Sequence, residues 1–232
     1  MKKGILLFVL LLLPILIYLF FFSGEHKFRR LPVFYPVDVQ TTTVNGEEKT
    51  DTLYHTIPAF TFINQDGDTV SEKITERKIY VADFFFTTCP TICPKMSGQF
   101  KRIQEKYQTT SALLLLSHTV NPERDTAEAL KTYSKLFNAD NKKWIFLTGN
   151  KKEIYDMAID GYKLAVGEDP RAPGGFLHSE LFVLVDMEKR IRGYYDGTSA
   201  EAADKLMDDI RFLFTEYNMK ESGEKKIIQK RK

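Results

Sequence analysis

The 232-residue chain has two cysteines, Cys89 and Cys93, with three residues between them and a proline after each (Pro90 and Pro94). Two thiols this close can hold a soft metal ion, exchange with a target disulfide, or close on one another. A residue before proline is pushed from the α region toward extended backbone, so neither cysteine is expected inside a helix. Pro94 suits the first helical position, where its missing N–H costs nothing. Both sulfurs then lie at a helix N-terminus, where free N–H groups and the helix dipole favour thiolate at each. A purely structural bridge is a weak explanation for the pair, because so small a ring adds little loop-closure entropy.

Four histidines can complete such a site: His26, His55, His118 and His178. His26 and His55 read as ordinary surface residues. His118 follows the apolar run Leu113–Leu116, and sites in open α/β sheets gather at the carboxyl ends of strands; a structural role comes first for it. His178 lies between a Gly- and Pro-rich loop, Gly167–Gly175, and the apolar run Leu181–Val185. A loop that delivers one imidazole to a fixed pair of sulfurs suits binding and release, although context alone leaves a bland role open as well. Two thiolates and one imidazole make a soft, low-coordinate set suited to Cu(I), and to Cu(II) with a further weak ligand. Structural zinc normally takes four protein ligands. Met96 reads as core before ligand, and Asp83, inside an apolar strand, as an edge-facing carboxylate or a neighbour of the cysteine loop.

The elements around these residues follow from periodicity. The run Ile79–Phe86 reads as a buried strand leading into the cysteine loop, and Met96, Phe100, Ile103 and Tyr107 mark a helix leading out. Upstream, Ala59–Ile63 alternates, and Asp66 with Gly67 supplies a turn into Asp68–Val70, a hairpin. Downstream, Ala112–Leu116 reads as a strand buried on both faces. Asp125–Glu128 makes a capping box for a helix carrying Leu130, Tyr133 and Phe137. Trp144–Leu147 is a strand, and Asn150 caps a helix with Ile154, Met157 and Ala158. Strands Leu181–Val185 and Ile191–Tyr195 pair through a turn. A second capping box, Thr198–Glu201, opens a helix burying Ala203, Leu206, Ile210, Leu213 and Tyr217. This order predicts an α/β domain with a mixed sheet flanked by helices. It spans residues 55–217, after a linker over 25–54 with at most one edge strand and before a flexible tail over 218–232.

At the start, Lys2 and Lys3 precede an apolar run, Ile5–Phe22, broken by Pro14 and Tyr18, with no small-residue cleavage site behind it. Residues 1–24 are expected to form an uncleaved membrane anchor more than a removed signal. Basic residues flank both ends evenly, which leaves orientation open. The Arg- and Ser-rich pattern of an organelle transit peptide is missing, so a bacterial inner membrane is expected. Net charge is +2, and the tail from Asn218 holds six basic and two acidic residues. That tail reads as solvated, and no nucleic-acid partner is expected.

Three segments together resemble the Sco (SenC) family: Thr88–Pro94 after an aromatic strand, Asn121–Thr126 after the next strand, and Leu177, His178 and Ser179 ahead of Asp186. The resemblance covers about residues 59–214. It implies a thioredoxin-like fold with an added N-terminal β-hairpin, a single-pass anchor and a domain facing the periplasm or cell exterior. It implies copper as the metal, with Cys89, Cys93 and His178 as its ligands. The implied role is a metallochaperone for the binuclear copper site of cytochrome c oxidase, with subunit II or another cuproprotein as acceptor. The alternative is a membrane-anchored thiol–disulfide oxidoreductase that reduces the acceptor's cysteines, Cys89 attacking and Cys93 resolving. Thr91 and Asn121 stand where many members carry an acid, and the segment Ser117–Thr119 also departs from the commoner pattern. The surroundings of the site are therefore less negative than in those relatives.

Overall fold

The computed structural model describes Phe8, residues 12–15, Tyr18, residues 30–44 and residues 47–230. The chain divides into two compact units, Met1–Arg30 and Leu31–Lys232. In the first, Phe8, residues 12–15 and Tyr18 are helical. Most of the apolar run Ile5–Phe22, with His26, lies outside the described residues, and among those described no helix is long and apolar enough to cross a membrane.

The second unit is built on a seven-stranded mixed sheet. Its centre is β5 (Ile79–Phe85), parallel to β6 (Leu113–Thr119), which is parallel in turn to β7 (Trp144–Thr148). Every residue of these three strands is buried, as expected where helices cover both faces of a parallel sheet. On one side β10 (Leu181–Val185) runs antiparallel to β5, and β11 (Ile191–Asp196) forms the edge. On the other, the expected hairpin β3 (Thr61–Asn64) and β4 (Thr69–Ser71) extends the sheet from β7. The helices are α1 (Cys93–Lys106), α2 (Ala127–Leu136), α3 (Lys151–Asp156) and α4 (Ala200–Lys230).

Period-two alternation splits the core into two aromatic clusters. Phe85 packs with Tyr133 and Phe146, and Phe100 with Trp144 and Phe182, under α1 and α2. Phe84 faces the other way, toward His118 and Tyr162. Where the chain enters this unit, the buried guanidinium of Arg192 takes the carbonyls of Leu31 and Pro32 and the carboxylates of Asp186 and Glu216. Such a cation is tolerated only because its donors are met in this way.

Several boundaries differ from the sequence-based expectations. The stretch before Tyr54, expected to hold at most one strand, forms an antiparallel ribbon of β1 (Pro36–Val44) and β2 (Glu47–Tyr54). Helix α4 continues to Lys230, into the stretch expected to be a flexible tail, whose last two residues lie outside the described ones. Both capping boxes shift by one residue. Thr126, and not Asp125, caps α2 by accepting from the Ala129 amide, and Ser199, and not Thr198, accepts from Ala202. The expected cap on α3 is in place, with Asn150 accepting from Glu153.

Candidate metal and thiol site

The carboxyl end of β5 delivers the cysteine loop. Phe86 follows the strand, and its carbonyl accepts from the Cys89 amide at 3.2 Å, closing a tight turn. Cys93 then opens α1, with Pro94 behind it and Ile92 as the cap. The expectation that both cysteines lie outside the helix therefore fails for Cys93. Its place in the first turn is compatible with Pro94, because the first-turn N–H groups have no intrahelical acceptor to lose.

A second tether holds the loop. Asp125 is fully buried and accepts three hydrogen bonds, from the Thr87 amide at 3.0 Å, the Thr87 hydroxyl at 2.5 Å and the Thr119 hydroxyl at 2.5 Å. It pins the residues just ahead of Cys89 to the end of β6, which makes Asp125 a support for the site in place of the helix cap expected of it.

His178 arrives from the far side. It ends β9 (Phe176–His178), which pairs with β8 (Val166–Glu168) as a small hairpin built within the Gly/Pro loop. Its Nε2 lies 3.2 Å from Cys93 Sγ, and its Nδ1 lies 3.1 Å from the Ser179 carbonyl. A carbonyl only accepts, so Nδ1 carries a proton and Nε2 is the nitrogen that meets the sulfurs. The two Sγ atoms and the imidazole nitrogen all lie within 4.8 Å of one another. Among the described residues this is the one such cluster of His, Cys, Asp or Glu.

The two thiols are not equivalent. Both are free, Cys93 wholly buried and Cys89 nearly so. Cys89 is lowered to about 3, chiefly by the hydrogen bond from Cys93, helped by His178 and by the amides of Cys93 and Thr91. Cys93 moves the other way, well above the usual thiol range, because it donates to that thiolate and is buried. The expectation of two helix-stabilised thiolates gives way to one thiolate and one thiol, since two adjacent negative sulfurs repel each other.

The other residues singled out in the sequence fall elsewhere. His118 is fully buried on the face opposite Asp83, its ring stacked on Phe84 with centroids 5.0 Å apart and enclosed by Phe60, Phe62 and Tyr162. Burial lowers it to about 3, so it is a neutral core residue. His55, read as a surface residue, is half-buried and donates from Nε2 to the Gly161 carbonyl at 2.7 Å. Met96 is buried on the core face of α1. Asp83 is not an edge carboxylate. It sits wholly buried on the central strand in register with Ser117, raised to about 7 by burial and within electrostatic reach of Cys93 and His178. A lone acid in an otherwise apolar strand was the signal that pointed to it.

A mixed-sheet α/β domain with a dithiol at a strand-to-helix turn and an imidazole brought over it defines a thioredoxin-like protein built for thiol or soft-metal chemistry. The family model described as SCO1/SenC matches residues 48–215. The chain belongs to the SCO1/SenC family. It is 30% identical over 172 residues to the SCO1 protein homolog of Bacillus subtilis, covering 73% of this chain and 89% of that protein. The solved structure of BsSco, described as a member of the Sco family of cytochrome c oxidase assembly proteins, superimposes with a TM-score of 0.61 at 30% identity, covering 68% of this chain and 93% of that one. Arabidopsis thaliana ScoI with copper bound gives a TM-score of 0.56 at 27% identity, over 67% of this chain and 98% of that one.

Proposed function

We propose that the chain is a copper-binding metallochaperone in which Cys89, Cys93 and His178 hold the ion and yield it to an acceptor protein. The observation that carries this reading is the convergence of two sulfurs and one imidazole nitrogen within 4.8 Å. The donor set fits copper, because thiolate and imidazole are its soft and borderline ligands and three of them fill a low-coordinate site. Cys89 offers a thiolate already, Cys93 gives up its proton on binding, and the Ser179 carbonyl keeps the His178 ring turned with Nε2 inward. The binuclear copper site of cytochrome c oxidase subunit II, or another cuproprotein, is the acceptor that membership of this family favours. The apolar run Ile5–Phe22 supports a single-pass anchor in a bacterial inner membrane, with the domain on the periplasmic or external side.

The second reading, thiol–disulfide exchange with the acceptor's cysteines, is favoured by the asymmetry of the pair. A thiolate at Cys89 is ready to attack, and a protonated Cys93 stands beside it to resolve. The two readings share one requirement, reduced sulfurs. Oxidising Cys89 and Cys93 to each other should therefore abolish tight copper binding, by more than the roughly 100-fold that loss of an outer-shell partner costs. Titrating reduced and oxidised protein with copper side by side checks this, and equal affinity in the two would remove the sulfurs from the site.

A further inference from the structure

His178 rides on a small hairpin outside the main sheet, so something must fix where that hairpin sits. An ion pair between Lys151 and Glu168 ties β8 to α3. On the β9 side, besides the bond to Cys93, the contacts converge on one buried ring, Phe86. The Phe176 ring lies 5.3 Å from it, and the His178 ring stands edge-on to it at 5.7 Å and 88°. Gly174 completes the contact. Its φ of 80° is left-handed, and a Cβ there would lie 2.6 Å from Cε2 and 2.7 Å from Cζ of Phe86. The bare backbone therefore rests directly on the ring. The same Phe86 carries the turn that fixes Cys89, through its carbonyl.

We propose that Phe86 is the positioning residue that registers the imidazole of His178 against the two sulfurs, with Gly174 as the bare backbone that seats the hairpin on its ring. This rests on the copper reading of the site. One residue then sets both halves of the ligand set, the sulfurs through its backbone carbonyl and the imidazole through its ring. Displacing the hairpin from the ring carries Nε2 away from the sulfurs without disturbing either cysteine.

Gly175 provides an internal control. Its φ of 85° is as left-handed as that of Gly174, but nothing lies within 4 Å of where its Cβ would be. Gly174→Ala meets backbone strain and collision together, whereas Gly175→Ala meets strain alone. Both changes lie on a largely exposed hairpin and remove no core side chain, and the one core group that either new methyl meets at collision distance is the Phe86 ring. In anaerobic Cu(I) competition titrations, Gly174→Ala should weaken binding by about tenfold or more, toward the His178→Ala level, with Gly175→Ala clearly closer to the parent. The metal-free protein gives a second readout. One Gly174 Hα proton points at the Phe86 ring and should carry a ring-current shift that Phe86→Leu abolishes. Equal copper affinities for the two alanine variants, or a Gly174 Hα shift unchanged by Phe86→Leu, would overturn the proposal. Measuring His178→Ala in parallel separates the possible failures. If that variant binds as tightly as the parent, the copper reading falls and the proposal with it. If it loses copper and Gly174→Ala does not, only the role of Phe86 falls.

Discussion

At pH 5, iodoacetamide should alkylate Cys89 of the reduced, metal-free protein and leave Cys93 unmodified. An ordinary thiol is ionised to only about one part in 3,000 at that pH, because its pKa is near 8.5. Cys89, lowered to about 3 by the Cys93 hydrogen bond and then by His178, is a thiolate throughout the accessible range. Nucleophilicity falls as pKa falls, which takes back roughly 300-fold of that gain and leaves Cys89 about tenfold ahead of an ordinary thiol of equal exposure. Cys93 has neither the charge nor the access, since it is pushed up by its bond to Cys89 and is wholly buried. The ratio between the two should exceed about 100-fold, and the Cys89 rate should stay flat from pH 8 to about 4. Peptide mapping after timed quenching measures both. Comparable labelling of the two cysteines, or a Cys89 rate that rises tenfold per pH unit through pH 7, would show that the proton is not held as described.

The largest stability effect expected comes from the two buried ionisable groups, whose contributions oppose each other. His118 is lowered from 6.5 to about 3 by burial. Below pH 6.5 the unfolded chain therefore takes a proton that the folded one refuses, and stability is lost as pH falls toward 3. Asp83 is raised from 3.8 to about 7, again mainly by burial. Between these values the folded chain keeps a proton that the unfolded one has released, so its contribution is full below 3.8 and is lost as pH rises through 7. From about pH 4 to 6.5 the two slopes nearly cancel, each near 1.4 kcal/mol per pH unit. Asp83→Asn removes one of them. Relative to the parent, the variant should gain about 4 kcal/mol between pH 4 and pH 8, and from pH 6 to pH 4 it should lose stability by the uncompensated His118 slope. Urea unfolding of both proteins across that range checks this. A difference that stays constant with pH would mean that Asp83 is ionised in the folded state.

Much of this architecture is legible in the residues. The wholly apolar runs Ala112–Leu116 and Trp144–Leu147 announce interior parallel strands, and the run ending at Phe86 announces the strand that carries the site. The errors have local causes. Asp125 with Thr126, and Thr198 with Ser199, are neighbours that can each cap a helix, so the pattern leaves one residue of ambiguity that tertiary contacts resolve. For Asp125 the deciding contacts are with Thr87 and Thr119, distant in sequence from the helix start. The β1–β2 ribbon is exposed along most of its length, so its threonines and valines need no period-two pattern and leave no signal. For the cysteines, the helix dipole was visible in the sequence, but the exchange of one proton between two sulfurs depends on a separation that spacing does not fix. His178 stands out among four histidines by its loop context alone, and its closeness to Cys93 depends on a hairpin seated on Phe86, a contact between residues 86 and 174–178 that no local rule contains.

On the copper reading His178 completes the site made by the two sulfurs, a ligand that copper binding requires and disulfide exchange does not. An anaerobic Cu(I) titration of the reduced protein beside His178→Ala, against a competing chelator, tests it directly. One equivalent of copper bound tightly by the parent, with affinity reduced by more than about 100-fold in the folded variant, is the expected result. Equal affinity in the two proteins, with Cys89 still reactive toward a disulfide substrate, would contradict it.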